Sequence, residues 1–377
     1  MRRAAPLILG AGPAGCAAAI ELARAGASPV LIDRSESVGD PLCGGFMSWR
    51  TIAQLETLGV DPLTLGGNTV DHLKLFTGDR VAQTPLPHTA LGLSRHALDT
   101  ALRKAALEAG AKLEIDTIRA VVPGLATGQS QEWQAETIFL ASGKHDVREQ
   151  ARPRTAGDPA LGLRIRLPAS SQRRSLIGSA IELHLFRGGY AGIVLQEGGS
   201  ANICLALRKS ALAAAGGDPR RLLEKVAERN GHFADRLGSD WHSAKIETIG
   251  AVPYGWIAED TPHGFFRLGD QAAVIPSLAG EGMSIALASG TMAARYWLQG
   301  GAEAAPAYQR AFAARAFPPV QLAKAARGLA ETRFGHVAVP ALAKLAPGLL
   351  TRLAERCRID APTPVSPPPA CTKARPC

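Results

Sequence analysis

The first thirty-three residues show the clearest hydrophobic pattern of the chain. Short apolar runs at residues 7–9 and 30–32 flank an alanine-rich stretch at 16–25 with helical character, which Gly26 ends. Two short apolar runs on either side of a helix are typical of parallel strands that are buried on both faces and joined by a crossover helix. Residues 5–33 therefore predict a β-α-β unit.

Helix and strand patterns alternate through the next part of the chain. Residues 93–115 predict a helix followed by a strand at 112–115, because apolar residues first recur at helical spacing and then alternate with polar ones. Residues 119–143 alternate in the manner of a β-hairpin and finish in an apolar strand at 138–141.

Between residues 162 and 207, β-like runs are separated by glycine-rich turns. This pattern predicts an antiparallel sheet that is distinct from the β-α-β unit. The predicted strands are 180–186, 192–196, 201–206 and, after a helix near 218–230, 246–253.

The C-terminal third begins with a predicted strand at 265–268, which leads directly into Gly269 and Asp270. A helix is predicted at 282–298, and residues 303–335 are predicted to be mostly helical. The tail at 361–377 is rich in Pro and Thr and has no apolar periodicity, so we expect it to be disordered.

Composition excludes several classes of protein. The net charge is +9, but Lys and Arg are scattered and aromatic residues make up only 5%, so no nucleic-acid partner is expected. No apolar run is long enough for a membrane span, and the glycines that begin at Gly10 interrupt the N-terminal apolar stretch too early for a signal peptide. We therefore expect the protein to act in the cytoplasm.

The six cysteines form no CxxC pair, and no His or Cys cluster has the spacing of metal ligands. In a cytoplasmic chain they are expected to be free thiols. No metal site is predicted.

A glycine motif follows the first predicted strand. Gly10, Gly12 and Gly15 form GxGxxG at the start of the predicted helix, with Pro13 and Ala14 between them. In this position the glycines allow a tight turn, close approach of a pyrophosphate and close packing of helix on strand.

An acid closes this β-α-β unit. Asp33 ends the second strand, where its carboxylate can accept a hydrogen bond from a ribose hydroxyl, and Arg34 follows it. The unit therefore predicts a dinucleotide site for FAD or NAD rather than NADP, without choosing between the first two.

A second motif lies far along the chain. Asp270 follows a predicted strand, and a loop with Pro276, Gly280, Gly282 and Met283 then opens a helix. This segment resembles the second FAD fingerprint of the superfamily that contains flavin monooxygenases and geranylgeranyl reductases. The resemblance implies that FAD is the cofactor, that Asp270 binds its ribitol chain and that the loop approaches its ring system.

Two shorter segments agree with that resemblance. Arg95 begins a stretch similar to the R-x-x-L/F-D-x-x-L helix of the family, whose arginine points toward the cofactor. Ala141 and Gly143 belong to an A-S-G sequence similar to the turn that closes over the dinucleotide. The resemblance covers roughly residues 5–300, and we expect the geranylgeranyl reductase-like branch.

Two segments are expected to lie near the reacting end of the flavin. Residues 41–45 resemble the P-x-C-G-G segment of geranylgeranyl reductases, which implies that Cys43 and Gly44 contact the flavin and that the Cys43 thiol donates a proton or tunes the ring. A small buried residue before two turn glycines is the alternative. Tyr190 begins a segment similar to the Y-x-W-x-F-P of that family and is the second candidate catalytic residue.

The Tyr190 segment departs from the family pattern. Gly192 stands at the tryptophan position, and Val194 and Leu195 replace Phe-Pro. A differently shaped pocket is expected, so an isoprenoid substrate does not follow from the resemblance. The W-x-W-x-I-P motif of flavin halogenases is absent, and Lys74 is expected to be a solvent-facing strand residue rather than a halogenase lysine.

The expected fold is α/β (α+β): a Rossmann-type FAD-binding domain interleaved with an antiparallel-sheet substrate domain, followed by a C-terminal helical segment. A chain of 377 residues favours such a division. The expected boundaries are 1–160 and 256–300 for the two parts of the FAD-binding domain, 161–255 for the substrate domain, 301–360 for the helical segment and 361–377 for the tail.

The leading functional hypothesis is an NAD(P)H-using monooxygenase that hydroxylates a lipophilic or polyketide-like small molecule, with a place in secondary metabolism. NAD(P)H is expected to bind transiently, since no second GxGxxG exists. Reduction of a carbon–carbon double bond is the close alternative, favoured by Cys43. A non-catalytic flavin-binding protein is the rival, docked on an anionic membrane through its basic charge and the amphipathic segment 341–358. The oligomeric state stays open.

Overall fold

The computed structural model describes residues 5–359 except 155 and 333. The strands are β1 (Leu7–Leu9), β2 (Val30–Asp33), β3 (Phe46–Met47), β4 (Asn68–Thr77), β5 (Arg80–Gly92), β6 (Lys112–Ile115), β7 (Ala120–Val122), β8 (Leu125–Thr127), β9 (Glu132–Gln134), β10 (Ile138–Leu140), β11 (Ala160–Leu167), β12 (Ala180–Phe186), β13 (Gly189–Leu195), β14 (Ala201–Arg208), β15 (Ile246–Val252) and β16 (Phe265–Arg267). The helices are α1 (Pro13–Arg24), α2 (Trp49–Thr57), α3 (Arg95–Glu108), α4 (Ser171–Ile177), α5 (Lys209–Ala213), α6 (Pro219–Glu228), α7 (Gly231–Leu237), α8 (Gly282–Gly300), α9 (Ala305–Ala330), α10 (Gly335–Leu345) and α11 (Pro347–Arg356).

The predicted β-α-β unit is confirmed and lies at the centre of a parallel sheet. The strand order is β16-β10-β1-β2-β6, and Leu7 of β1 is in register with Val30 of β2. The crossover helix α1 begins at Pro13, three residues before the predicted start. Proline suits this first helical position because its missing N–H would have no partner there in any case.

The second sheet has eight strands in the order β15-β11-β14-β13-β12-β4-β5-β3. All its pairs are antiparallel except β12–β4. The predicted strand 180–186 is confirmed as β12, and the runs at 192–196 and 201–206 lie in β13 and β14. The mixed fold class and the helical C-terminal segment that the sequence predicted are confirmed.

Strands β3 and β5 escaped the sequence prediction, and β4 was predicted only at Lys74. They join the second sheet although they come from within residues 1–160. Strand β5 contains Pro85 and Pro87, and proline ordinarily argues against a strand because it lacks a ladder donor. The β4–β5 pairing also shifts register between Val70 and His72, which breaks the regular alternation on which strand prediction depends.

One further prediction needs correction. The segment 119–143 is not one hairpin: β7, β8 and β9 form a separate three-stranded sheet, and only β10 joins the parallel sheet. The turn between β8 and β9 depends on the Asp116 carboxylate, which accepts from the Gln129 amide (2.9 Å) and the Trp133 indole (2.9 Å). The predicted helix near 218–230, by contrast, is confirmed as α6, and a second helix, α7, follows it after Asn230, whose side chain caps α7.

The helices after β16 complete the first layer. Helix α8 packs so closely on α1 that a Cβ at Gly290 would lie only 2.2 Å from the Ala14 carbonyl oxygen. Helix α9 spans Ala305–Ala330, which confirms the predicted helical stretch at 303–335. No helix within the described residues is long and apolar enough to cross a membrane. The tail predicted at 361–377 lies outside the described residues.

Candidate functional site

The turn between β1 and α1 is packed so tightly that two of its glycines have no room for a side chain. Gly10 has φ +112°, and a Cβ there would lie 2.5 Å from the Ala141 carbonyl oxygen. A Cβ at Gly15 would lie 1.9 Å from the Gly10 carbonyl oxygen. Gly12 differs, because a Cβ there would meet only an Arg95 guanidinium nitrogen, at 3.6 Å. Open space therefore exists above Gly12, at the N-terminus of α1, where a pyrophosphate would bind.

Asp33 is fixed beside this turn at the end of β2. Its carboxylate accepts from the amides of Ala11 (2.9 Å) and Ser35 (3.1 Å), and an Arg103 guanidinium nitrogen lies 3.5 Å away. Its side chain stays 20% exposed, so the carboxylate can still accept from a ribose hydroxyl. Sequence analysis missed Arg103. Arg34 is exposed, and its positive charge contributes after burial to lowering the pKa of His145.

Arg95 lies at the start of α3, close to Gly12. Its guanidinium donates to both carboxylate oxygens of Asp99 (2.7 and 2.6 Å). Burial alone would lower the pKa of Arg95, but the Asp99 carboxylate more than offsets this, so the pKa is raised and the cation is firmly held. A fixed, buried cation beside the α1 N-terminus suits a phosphate-bearing ligand.

The turn after β10 closes this side of the site. Ala141 is the residue whose carbonyl oxygen Gly10 approaches, and its amide donates to the Leu9 carbonyl oxygen at 2.9 Å. Gln271 donates from its side chain to the Gly143 carbonyl oxygen at 2.9 Å. The two motif segments, 128 residues apart in sequence, are thus connected by one glutamine that no sequence motif indicated.

Asp270 follows β16, in the 3-10 turn Gly269–Gln271. Its backbone carbonyl oxygen accepts from Arg152 at 2.9 Å. The half-buried carboxylate, by contrast, has no hydrogen-bond donor among the described residues. Because its oxygens are not engaged by any described residue, this half-buried carboxylate is free to accept from ligand hydroxyls such as those of ribitol.

The loop after Asp270 leads to the N-terminus of α8. Pro276 precedes a single 3-10 turn, and Gly280 has φ +67° and lies against the Phe46 ring. A Cβ at Gly282 would meet nothing within 4 Å, whereas the neighbouring Met283 is buried in the core. The open N-terminus of α8 therefore presents amide donors and a positive dipole, which favour the negative charge of a reduced flavin.

The segment 40–44 is held through its carbonyl groups. Three side chains from distant parts of the chain donate to five consecutive carbonyl oxygens. The bonds are Arg164 to those of Asp40 (2.7 Å) and Pro41 (3.2 Å), Lys144 to that of Leu42 (2.6 Å), and Asn202 to those of Cys43 (3.0 Å) and Gly44 (2.9 Å). Within the described part of the chain, the amides of Leu42, Cys43 and Gly44 have no acceptor. These amides are available to acceptors on a ligand.

Cys43 and Tyr190 differ in how free their polar groups are. The Cys43 thiol is half-buried and close enough to Arg95 and Cys204 to affect their titration. The Tyr190 hydroxyl lies 2.5 Å from the Ser277 hydroxyl, which also contacts Tyr254 at 2.9 Å. Burial raises the pKa of Tyr190, so its phenol stays protonated. Its contact with Ser277 positions the 3-10 turn within residues 276–282, which we call the flavin loop.

The C-terminal residues hold the flavin loop from behind. Arg358 donates to the Ala279 carbonyl oxygen (2.9 Å), forms an ion pair with Glu281 and stacks on the Trp49 ring at 4.5 Å. Glu281 is fully buried, and burial raises the pKa of its carboxyl against the opposing effect of Arg358. No sequence pattern predicts the pairing of Glu281 with Arg358, because 77 residues separate them.

Together these features fit FAD. Side-chain-free space lies above Gly12, Gly44 and Gly282, where a Cβ would meet nothing or only Arg95. Two helix N-termini and the unpaired Asp270 carboxylate adjoin it. The residues predicted to bind the cofactor thus lie between the end of the parallel sheet and the eight-stranded second sheet, as an extended dinucleotide requires. Within the described residues, no group of three or more His, Cys, Asp or Glu side chains is placed to hold a metal ion.

Replacing Asn202 tests whether segment 40–44 must be fixed for FAD to bind. Replacing Asn202 by Ala removes the donor to two carbonyl groups, so we expect the free energy of unfolding to fall by about 1–3 kcal/mol. We also expect the FAD dissociation constant to rise roughly tenfold, an effect of about 1.4 kcal/mol, because the segment is no longer fixed against β14. Urea denaturation of the apoprotein and fluorescence titration with FAD measure the two effects.

Asn68 offers the matched control, since its amide also donates to two carbonyl oxygens, those of Thr69 (3.0 Å) and Gly178 (3.1 Å). Asn68→Ala should lower stability and leave FAD affinity unchanged. Equal effects of both variants on FAD affinity would contradict a specific role of Asn202 in holding the segment.

Comparison with known proteins agrees with this site. The family model described as an FAD binding domain matches residues 3–146. The menaquinone reductase of Mycolicibacterium smegmatis is 28% identical over 331 residues, which cover 79% of this chain and 77% of that protein. Digeranylgeranylglycerophospholipid reductase 2 of Methanopyrus kandleri is 26% identical over 312 residues, covering 76% and 75%.

Among solved structures, the flavin-dependent brominase Bmp2 has the same fold, with a TM-score of 0.71 and 15% identity over 94% of each chain. The FAD-binding model covers the β-α-β unit, and the reductase matches extend over most of the chain, including the residues of the second motif. The chain is therefore similar to FAD-dependent oxidoreductases: residues 3–146 match an FAD binding domain, and about three quarters of the chain aligns with proteins named as reductases.

Proposed function

We propose that this enzyme reduces carbon–carbon double bonds of a lipophilic, polyprenyl-type substrate. The observation that carries the proposal is the segment around Cys43, whose carbonyl groups are bound by Arg164, Lys144 and Asn202. Such binding fixes a half-buried thiol at the open face of the flavin site. The relatives named menaquinone reductase and digeranylgeranylglycerophospholipid reductase support the same chemistry. Double-bond reduction thus takes precedence over the hydroxylation that the sequence favoured.

Reduction of a double bond needs a hydride for one carbon and a proton for the other. FAD, when bound and reduced, supplies the hydride. The chain must supply the proton, and the Cys43 thiol has no hydrogen-bond partner among the described residues. Tyr190 and Tyr254 donate toward or accept from Ser277, and burial raises the pKa of the Cys204 thiol to about 12. Cys43 is therefore the proposed proton donor, and its thiolate regains a proton from solvent.

The inner face of β13 is apolar and has space for a side chain at one position, Gly192. A side chain at Gly192 would approach only Leu183 and the Cys204 carbonyl group, both at 3.8 Å. Because the family pattern has tryptophan here, the glycine leaves a slot on the inner face of β13. Val194, also on this face, packs against Val70 and Ala90. Apolar walls with few polar groups suit a polyprenyl chain.

The proposed electron donor is NAD(P)H, bound transiently. The described residues contain one parallel sheet of Rossmann type, which FAD occupies, so a nicotinamide cofactor would have to bind at the surface and leave. Anaerobic mixing of the oxidised holoenzyme with NADPH or NADH should bleach the flavin absorbance. If neither bleaches it, while dithionite does, another donor reduces this enzyme.

A Cys43→Ala variant tests the proposed proton donor. Chemically reduced holoenzyme, mixed without oxygen with a polyprenyl alcohol, which has no quinone ring that the flavin could reduce instead, should yield product that has gained two hydrogens, detected by mass spectrometry. Cys43→Ala should retain FAD and slow this single turnover about 100-fold or more, which lies within the range for general acid catalysis. Cys204→Ala, which removes the neighbouring half-buried thiol, should turn over at the normal rate.

The same experiment separates the alternatives. A hydroxylated product that forms only with oxygen would establish hydroxylation and overturn the proposal. Unchanged turnover by Cys43→Ala would leave the reduction in place but remove Cys43 from it. Reduced flavin that no substrate reoxidises, with or without oxygen, would favour the non-catalytic rival.

A further inference from the structure

We propose that the exposed face of helix α10 docks the enzyme on an anionic lipid membrane. Five of the nine exposed large apolar side chains of the described residues lie between 317 and 345. Three of them belong to one short stretch: Phe334 is 73% exposed, Val337 54% and Leu345 86%. Leaving such side chains in water is unfavourable, and a cluster of them marks an interaction surface.

The three side chains share one side of the helix. At 3.6 residues per turn, positions 334, 337, 341 and 345 fall on one face of the helix. The opposite face is buried: Pro340 lies in the core, and Val339 packs in the clusters that contain Leu183 and Leu185 of β12. The exposed face therefore has no partner among the described residues, while the buried face belongs to the roof of the flavin site.

Charge identifies the partner as an anionic surface. Residues 305–359 contain nine Lys or Arg and two Glu, so this helical segment carries +7 of the net charge of +9. Lys324, Arg352 and Arg356 are exposed. Apolar side chains inserted among basic ones are the pattern of helices that lie in the interface of anionic membranes. A protein partner would not require charge of one sign spread over three helices.

The structure also revises where the membrane contact lies. The sequence placed it on the amphipathic segment 341–358, but the end of that segment is folded inward. Cys357 and Ile359 are buried, and Arg358 binds the flavin loop. The contact therefore centres on Phe334, Val337 and Leu345, on the side of the helix opposite Val339, which packs with Leu183. Docking does not depend on the proposed reaction, although it would bring the enzyme to the membrane in which a lipid substrate is dissolved.

Vesicle sedimentation of the full-length holoenzyme tests the proposal. The chain should bind vesicles of phosphatidylcholine with phosphatidylglycerol, should bind pure phosphatidylcholine weakly, and should be released by high salt. The double variant Phe334→Glu, Val337→Glu should lower binding at least roughly tenfold. Leu63→Glu, which adds a charge at a side chain that is 61% exposed in a turn of the FAD-binding part, is the matched control and should bind normally.

Each remaining outcome counts against the proposal. Failure to bind any vesicle, or equal binding by the double variant, would overturn it. If sedimentation velocity shows a dimer that the double variant dissociates, a second copy covers the face instead. FAD content and turnover of a short, soluble polyprenyl analogue are measured in parallel. Normal values in the double variant show that it is folded, and they separate a failure of docking from a failure of the proposed reaction.

Discussion

Replacing Gly12 by valine is expected to abolish FAD binding while leaving the apoprotein folded. A Cβ at Gly12 would meet only the Arg95 guanidinium, at 3.6 Å, so the protein itself has room for the side chain. The cofactor does not, because the valine methyl groups would occupy the place of the pyrophosphate above the α1 N-terminus. We expect the FAD dissociation constant to rise by about 100-fold or more, equivalent to at least ~2.8 kcal/mol.

Gly15 provides the contrast that makes this prediction specific. There a Cβ would lie 1.9 Å from the Gly10 carbonyl oxygen, so Gly15→Ala should lower the stability of the apoprotein as well as FAD affinity. Gly157→Val is the neutral control, since a side chain at this exposed position meets nothing within 4 Å. Far-UV circular dichroism, thermal unfolding and flavin titration measure all three variants. Normal FAD affinity in Gly12→Val would place the pyrophosphate elsewhere and remove the basis of the site.

Local sequence signals predicted the cofactor end of the site well. The glycines from Gly10 to Gly15, the strands around them and Asp33 are close in sequence, and each has a chemical reason for its residue type. Asp270 was found through its resemblance to a family motif, and its unpaired carboxylate gives that assignment independent physical support. These elements depend on spacing, which a sequence displays directly.

The residues that shape the reacting end were missed because their partners are far away in the chain. Asn202 and Cys43 are 159 residues apart, and Lys144 and Leu42 are 102 apart, so no periodicity connects them. Packing of segment 40–44 against β14 and against the turn after β10 brings them together. A sequence displays neither that packing nor the carbonyl groups that the side chains bind.

Buried polar residues were misjudged for a related reason. No sequence pattern indicates that His184 is buried, yet it is fully buried, stacks on Phe76 at 4.3 Å and contacts the Glu182 carboxylate at 3.1 Å. Lys74 is half-buried rather than solvent-facing, and its ammonium donates to the Leu176 carbonyl oxygen at 3.0 Å. Burial of an ionisable residue depends on partners that compensate for lost hydration, and those partners come from other elements.

The second large effect is expected at the buried ion pair behind the flavin loop. Replacing Arg358 by Gln leaves the Glu281 carboxylate buried without its counter-ion, which typically costs about 3–5 kcal/mol. The flavin loop and the C-terminal residues should separate, and FAD affinity should fall with stability. Arg356→Gln removes the same charge from an exposed position in α11 and should change neither quantity measurably. Urea denaturation of the apoproteins and FAD titration provide the comparison.

The pH dependence of the free energy of unfolding tests whether the buried Glu281 carboxylate causes the loss of stability in Arg358→Gln. Burial, opposed by Arg358, raises the pKa of this carboxyl above its ordinary value of 4.5. A carboxyl group with a raised pKa is easiest to bury when protonated, so its contribution to stability is greatest below the ordinary value and is lost as pH rises through the folded-state pKa. Arg358→Gln raises that pKa further. The variant should therefore approach the wild type in stability near pH 4.5 and fall increasingly below it toward pH 8.

A second substitution at Glu281 separates this electrostatic effect from simple loss of packing. Gln at position 281 cannot ionise, so the double variant Glu281→Gln, Arg358→Gln should regain much of the lost stability and should lose the extra pH dependence. If the double variant is as unstable as Arg358→Gln at every pH, the arginine acts through its contacts with Trp49 and the Ala279 carbonyl group instead. Recovery would show that the C-terminal residues hold the flavin loop through one neutralised carboxylate, and that the cofactor site depends on a charge contributed from outside both of its sequence motifs.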